Sequence, residues 1–211
     1  MRPLKPAMDE LFQKIQAGLA EHGFEFKRKI KYFHKIIPGG CWSVGIGYIK
    51  HTEDFDVTMN VSGRIDTLQK LIHGNEDSDD CSFSFGAELG NISEGKQKRW
   101  TVTSQEDIDS VAVAMLEAFV QIGLPYLKRY SDMENALEAF SGDDRAAWLH
   151  SPVHGARAKR AIGLAFILNK RDLFVALAEQ KTAFLKGRND FDLQSFLDFK
   201  RKLEEQLSAK S

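Results

Sequence analysis

An α+β fold is what this sequence predicts: an antiparallel sheet of about five strands covered by two long helices, followed by a helical C-terminal region. Three observations predict it. Between Cys41 and Gly63, "CWSVGIGYIKHTEDFDVTMNVSG" alternates apolar and polar side chains with the period of two that a half-buried strand requires. Ile108, Val111, Met115, Phe119 and Ile122 recur at spacings of three and four, the period of one helix face. Helical patterns dominate the rest of the chain, so strands and helices are segregated rather than alternating as βαβ units.

The first helix is expected over Pro6 to His22, because Pro6 suits a first turn and Leu11, Phe12, Ile15 and Leu19 share a face. Gly23 is placed to end it. A strand is expected from Phe24 to Ile37. There Phe26, Ile30, Tyr32 and Ile36 share one parity, and Lys27, Lys29, Lys31, Phe33 and Lys35 share the other. "PGG" at 38–40 is a turn, and the opening stretch is a hairpin turning near His51 to Glu53. Trp42, Val44, Ile46 and Tyr48 should face the core, with Phe55, Val57, Met59 and Val61. Ser43, Gly45, Gly47, Asp54, Asp56, Thr58 and Asn60 form the second face, a shallow hydrogen-bonding surface that the C-terminal helices partly cover.

Arg64 to His73 reads as a short helix or crossing segment, "GNEDSDD" as an acidic loop, "CSFSFGAEL" as a strand, "NISEGKQK" as a loop and "RWTVT" as a short last strand. The long helix then runs from Ser104, its N-cap, to Gly123, where Gly123 and Pro125 end or bend it. Helices follow from Asp132 to Phe140, Ala156 to Leu168, Asp172 to Leu185 and Asp190 or Asp192 to Leu207. "SGDD" and "HSPVHG" are breaks between them. The domain reading is a sheet domain over 1–130 and a helical extension over 131–211 packed on it.

The chain has 211 residues and a formal charge of −1, so no global field draws it to nucleic acid or to a membrane. Its N-terminus lacks the apolar stretch of a signal peptide, and no run reaches the roughly 20 apolar residues of a membrane span. Cys41 and Cys81 both sit in alternating apolar runs and read as buried thiols. The expectation is a cytoplasmic protein with no cofactor and no membrane partner.

Five motifs bear on possible chemistry. Asp54 and Asp56 put two carboxylates on one strand face, an arrangement that suits a hard cation. A nucleotidyl-transfer site would also need a Gly-Ser phosphate loop upstream, and none precedes this pair. Glu94 and Lys96 have the spacing of a nuclease half-site but lie in a polar loop. His150 and His154 are four apart, as two zinc ligands on a helix would be, but Pro152 between them argues for a loop with exposed histidines. Gly45 and Gly47 lie inside a strand, where glycine marks a bend or a close contact rather than a phosphate loop. The basic stripe Lys27, Lys29, Lys31 and Lys35, with Arg28 and His34 beside it and Phe33 on the same parity, is the best nucleic-acid hint. Protection of an edge strand by lysines also explains it, and the acidic loop at Glu76 to Asp80 and the near-zero net charge favour that explanation.

The order of motifs also resembles a known family. A helix ending in "EHGFEFKRK", a hairpin ending in "FDVTMNVSG", and "RWTVTSQEDIDSVAVAMLEAFVQIGLPYLKRY" together resemble the bacterial domain-of-unknown-function 4304 family over roughly Pro6 to Tyr130. That resemblance carries no catalytic residues. Proteins similar to it are often encoded near polymorphic toxins, which implies an immunity or other protein-binding role. The expected function is therefore a non-enzymatic binding protein, with a toxin as its protein partner. A nucleic-acid-binding module on the strand 27–35, and a metal-dependent hydrolase or nucleotidyl-transfer enzyme at Asp54 and Asp56, are the alternatives. The binding residues in play are Lys27, Lys29, Lys31, Lys35, Asp54, Asp56 and Asn60.

Overall fold

The computed structural model describes residues 4–74 and 82–209. Cys81 and the acidic stretch 75–80 lie outside the described residues. The fold is α+β, with six strands in one sheet ordered β1-β2-β3-β4-β5 and β6 paired to β4. The chain divides into two compact units: Met1–Gly63 with Gly86–Lys128, and Arg64–Phe85 with Arg129–Ser211. The helical unit thus takes in Arg64–Phe85, a stretch the sequence reading assigned to the sheet domain.

In the sheet unit, α1 (Leu4–Glu21) buries Leu11, Ile15 and Leu19 completely. Gly23 takes φ +80° just beyond it, a conformation glycine adopts at little cost. The expected single strand 24–37 is a hairpin instead: β1 (Glu25–Lys27) and β2 (Tyr32–Ile37) pair antiparallel, with Phe26 opposite Phe33. The turn 28–31 closes through Lys31 N–H donating to the Lys27 carbonyl, with Lys31 at φ +58°. No Gly, Pro, Asn or Asp marks this turn, so its sequence does not announce it. Because the turn resets parity, Phe33 faces the core at 1% exposure while Ile36 is 81% exposed.

β3 (Gly40–Lys50) and β4 (Phe55–Ile65) are the long strands. Val44, Phe55, Val57, Met59 and Val61 are essentially fully buried, and each such side chain contributes roughly 1.5–3 kcal/mol of burial. β6 (Trp100–Val102) sets Trp100 opposite Val57 and Val102 opposite Phe55, on the same face. Gly86 of β5 (Phe85–Glu88) lies against Ser62 of β4, and the short α3 (Leu89–Ser93) follows. Over the buried face lie α1 and α4 (Asp107–Ala118), which close on one another at Gly18, against which Leu116 packs. Of the two expected outcomes at Gly123 and Pro125, an end or a bend, the helix does not end there. A π-helical turn, Phe119–Gly123, carries the chain into α5 (Leu124–Ser131). In that wider turn Leu124 N–H donates to the Phe119 carbonyl, and Pro125, which has no N–H, falls within the new first turn. Gly123 allows the close pass over β4, since a Cβ there would meet Val61 at 3.2 Å and Phe119 at 2.9 Å. The resulting helix, Asp107–Ser131, is 25 residues and by length and composition could cross a bilayer. Its Ile108, Val111, Ala112, Met115, Ala118 and Phe119 are buried within the protein, as in a core helix, and Asp107, Asp109, Glu117, Lys128 and Arg129 interrupt it.

The helical unit comprises α2 (Asp66–His73), α6 (Met133–Ser141), α7 (Arg145–His150), α8 (His154–Ile167), α9 (Arg171–Gly187) and α10 (Leu193–Ser208). Asp132 and Asp144 cap α6 and α7, their carboxylates accepting from Asn135 N–H and Ala147 N–H. α7 fills the interval between the two expected breaks, to which the sequence reading assigned no element, and takes in His150 from the expected loop. α8 packs on α2, α6, α9 and α10, burying Ala158, Ala161, Ile162, Leu164 and Ala165. Gly163 sits where a Cβ would meet Leu68 at 2.9 Å, so α2 approaches α8 closely there.

This unit also buries charge. Arg157 and Lys181 are both 0% exposed. Lys181 Nζ donates to the Ser141 and Gly142 carbonyls at 2.7 and 2.9 Å and to Asp143 Oδ1 at 2.8 Å. Arg157 donates to the Ser151 carbonyl at 2.6 Å, meets His154 Nδ1 at 2.9 Å, and stands 3.6 Å from Asp143 Oδ1. Burial pushes both cations' pKa values down, opposed by Asp143. The histidine pair also departs from expectation. His150 ends α7, is buried, and lies 4.3 Å, ring centre to ring centre, from Tyr130. Its pKa falls to about 4, first through burial and then through Arg129. His154 opens α8 rather than hanging in a loop.

Candidate binding surface

The β1–β2 hairpin builds a pit in the sheet unit. Phe12 from α1, Phe26 from β1 and Phe33 from β2 meet with ring centroids 4.9–5.2 Å apart, an aromatic cluster at the preferred spacing. With Ile46 they line a cavity of about 440 Å³ whose remaining wall is Arg28 and Lys31. Both cations belong to the exposed turn, so the cavity has an apolar floor and a basic rim. A site of this size with few polar groups is of the kind that accepts an apolar anchor carrying negative charge.

The lysine stripe is not one surface. Lys27 lies on β1 and pairs with Glu25 at 2.8 Å, which holds the Glu25 carboxyl below its usual range. Lys29 and Lys31 are exposed in the turn. Lys35 has moved to the opposite, core-facing side, across from Trp42. Its ammonium donates to the His22 carbonyl at 2.7 Å, just past the end of α1, and lies 5.6 and 5.8 Å from the Trp42 and Phe24 ring centres. Phe33, the ring wanted beside the lysines for base stacking, is in the core. The parity reset at 28–31 accounts for both corrections.

The second face of the β3–β4 hairpin is partly closed rather than shallow and open. Ser43 and Thr58 are buried, Asp56 is 9% exposed, and only Asn60 of this set is exposed. Gly45 leaves room for the Tyr32 ring, since a Cβ would meet its Cε1 at 2.6 Å, and Gly47 leaves room for the Thr58 hydroxyl. Asp54 is in the turn, where its carbonyl accepts from His51 N–H, so it does not share a strand with Asp56. Asp56 accepts from Thr101 Oγ1 at 2.8 Å and lies 3.3 Å from His51 Nε2 and 3.5 Å from Arg99. The Thr101 hydrogen bond, then His51 and Arg99, hold its carboxyl below the ordinary range. Among the described residues no three His, Cys, Asp or Glu side chains converge as a metal site.

The sequence reading named Lys31 and Phe33, and Arg28 beside the lysine stripe, but missed Phe12 and Phe26 as site residues. Phe12 and Phe26 read as apolar-face positions, and both are half-buried. The available signal was a cationic run, "KRKIK", preceded by Phe26 and followed by Tyr32 and Phe33. Fold and site together define an α+β protein with a basic-rimmed aromatic pit on one hairpin. Compared with protein-family models, curated proteins and solved structures, the chain matches none of them.

Proposed function

We propose that this chain is a non-enzymatic binding protein whose β1–β2 hairpin captures an acidic, aromatic- or leucine-tipped segment of a partner protein. The carrying observation is the Phe12–Phe26–Phe33 pit with Arg28 and Lys31 at its rim. An apolar anchor fills the floor, and carboxylates flanking it meet the two cations. Local charge makes the site selective, because the chain as a whole carries −1. Asp56 supports the non-enzymatic reading, since its oxygens already serve Thr101, His51 and Arg99. A toxin is the partner class to which the resemblance to the domain-of-unknown-function 4304 family points.

The test is fluorescence anisotropy with a labelled peptide holding one phenylalanine between aspartates, read against its lysine-substituted counterpart and a labelled oligonucleotide. The acidic peptide should bind, and Arg28→Glu/Lys31→Glu should weaken it at least tenfold while leaving the melting temperature unchanged. Tighter, salt-dependent binding of the oligonucleotide, lost in the same variant, would replace this reading with the nucleic-acid one. Equal binding of the acidic and basic peptides would remove it.

A further inference from the structure

We propose that the helical unit contains a second site, for a small organic phosphate, in the pocket between the end of α2, residues 82–83 and the first turns of α8. Its cavity is about 320 Å³ and is lined by Ile72, His73, Ser82, Phe83, Ala156, Lys159, Arg160 and Asp192. Three of those side chains carry or accept positive charge: His73, Lys159 and Arg160. Ile72, Phe83 and Ala156 supply an apolar wall. That combination suits a phosphate monoester with a short apolar or aromatic body.

The cations are held but not neutralised by their hydrogen bonds. Lys159 Nζ donates to Ser195 Oγ at 2.7 Å, and Arg160 donates to Ser151 Oγ and to the Phe83 carbonyl at 2.8 Å. All three acceptors are neutral oxygens. Asp192, the one carboxylate of the lining among the described residues, leans on the start of α8: a Cβ on Gly155 would lie 2.2 Å from the Asp192 Cβ. A carboxylate there answers the positive end of a 14-residue helix as well as the pocket.

Two groups of the lining titrate low, each chiefly through burial and then through neighbouring cations. The Arg160 pKa is pushed down to about 10, by burial first and then by Arg157. The His73 pKa is pushed below its ordinary value by burial first, then by Lys159, Arg160 and Arg64. An anion entering the pocket would offset the cationic part of that shift and make His73 easier to protonate. His73 is therefore a built-in reporter of occupancy. Arg160 also joins α8 to Phe83, so its removal would disturb the fold. Among the described residues Lys159 donates to the Ser195 hydroxyl on the surface, and it is the cleaner residue to change.

The experiment follows the His73 imidazole by NMR across pH in the full chain, with phenyl phosphate as probe and inorganic phosphate, benzoate and sodium chloride as comparisons. Phenyl phosphate should raise the His73 pKa saturably, and inorganic phosphate should do so at higher concentration. Lys159→Gln should weaken phenyl phosphate at least tenfold, and Arg28→Glu/Lys31→Glu should leave it unchanged. A shift that sodium chloride reproduces at equal ionic strength would overturn the site as mere screening. Benzoate binding as tightly as phenyl phosphate would overturn the phosphate assignment, and unaltered binding to Lys159→Gln would overturn the pocket. None of these results depends on whether the hairpin pit binds a peptide.

Discussion

The sheet unit and the helical unit fill their interiors with different chemistry. Among the described residues of the sheet unit, the side chains with no exposure include Leu11, Ile15, Leu19, Val44, Val57, Met59, Val61, Met115 and Phe119, with the Ser43 hydroxyl as the polar exception and no charged group. Inside the helical unit, Arg157 and Lys181 are as fully buried as any leucine. The difference follows from where helices end. A helix leaves its last carbonyls without partners, and a cation can take them. Lys181 does so at the end of α6, and Arg157 takes the Ser151 carbonyl just past α7. The sheet unit uses the same device once, with Lys35 at the end of α1, but there the side chain is only partly buried and water shares the work. Many short helices in one unit create many orphan carbonyls, and buried cations are one way to satisfy them.

The comparison is tested hardest by removing the single carboxylate that both buried cations share. Asp143→Ala should cost about 3–5 kcal/mol, because it strands charges already out of water. Phe119→Ala should cost a similar 3–5 kcal/mol or so by opening a cavity under the sheet. Native-state hydrogen exchange separates the two: Asp143→Ala should release α8 and α9 amides first, and Phe119→Ala the β4 and α4 amides. Equal loss of protection everywhere in both variants would break the distinction.

Acid should also discriminate. The folded-state pKa of His150 is about 4 against 6.5 unperturbed, so the folded form holds it neutral and the unfolded form binds the extra proton. That stability is complete above pH 6.5 and is lost as pH falls toward 4, by roughly 3 kcal/mol at 1.36 kcal/mol per pKa unit. His150→Leu should flatten this part of the profile in urea melts between pH 7 and 4. The depressed Asp56 carboxyl contributes stability that is present above its ordinary value of 3.8 and disappears only below it. A protein whose stability is level down to pH 4 would contradict the His150 environment.

The smaller effects compare like with like. Lys181→Met takes the donor from the Gly142 carbonyl and one donor each from the Ser141 carbonyl and Asp143, which keep Gln180, and should cost about 2–3 kcal/mol. Lys35→Met leaves one carbonyl that water can reach and should cost less than about 1 kcal/mol. Chemical denaturation midpoints at constant m-value measure both, and equal losses would mean that burial does not set the price.

Much of the sheet unit was readable because its period is repeated over many residues. Alternation through β3 and β4 placed Val44, Val57, Met59 and Val61 correctly, and the 108–119 spacing placed α4. The hairpin at 28–31 was not readable. It turns through Lys31 at positive φ without a residue that favours that conformation, and one turn there reversed the face of the β2 residues that follow it. That reversal carried Phe33 into the interior, turned Lys35 to the core-facing side and left Arg28 and Lys31 at the mouth of the pit. α7 and the buried His150 were missed for a related reason, since six residues are too few for a helical period to emerge.

Taken by itself, the sequence determined the class of fold, the two long strands and their core face, and the principal helices, because period and caps act over neighbours along the chain. Only the tertiary structure decided which charges are buried, which face the lysines occupy, and that Arg64–Phe85 joins the helical unit. Those outcomes rest on groups far apart in sequence, such as Lys181 with Ser141 and Arg160 with Phe83, whose attraction exists only once the fold has brought them within hydrogen-bonding distance.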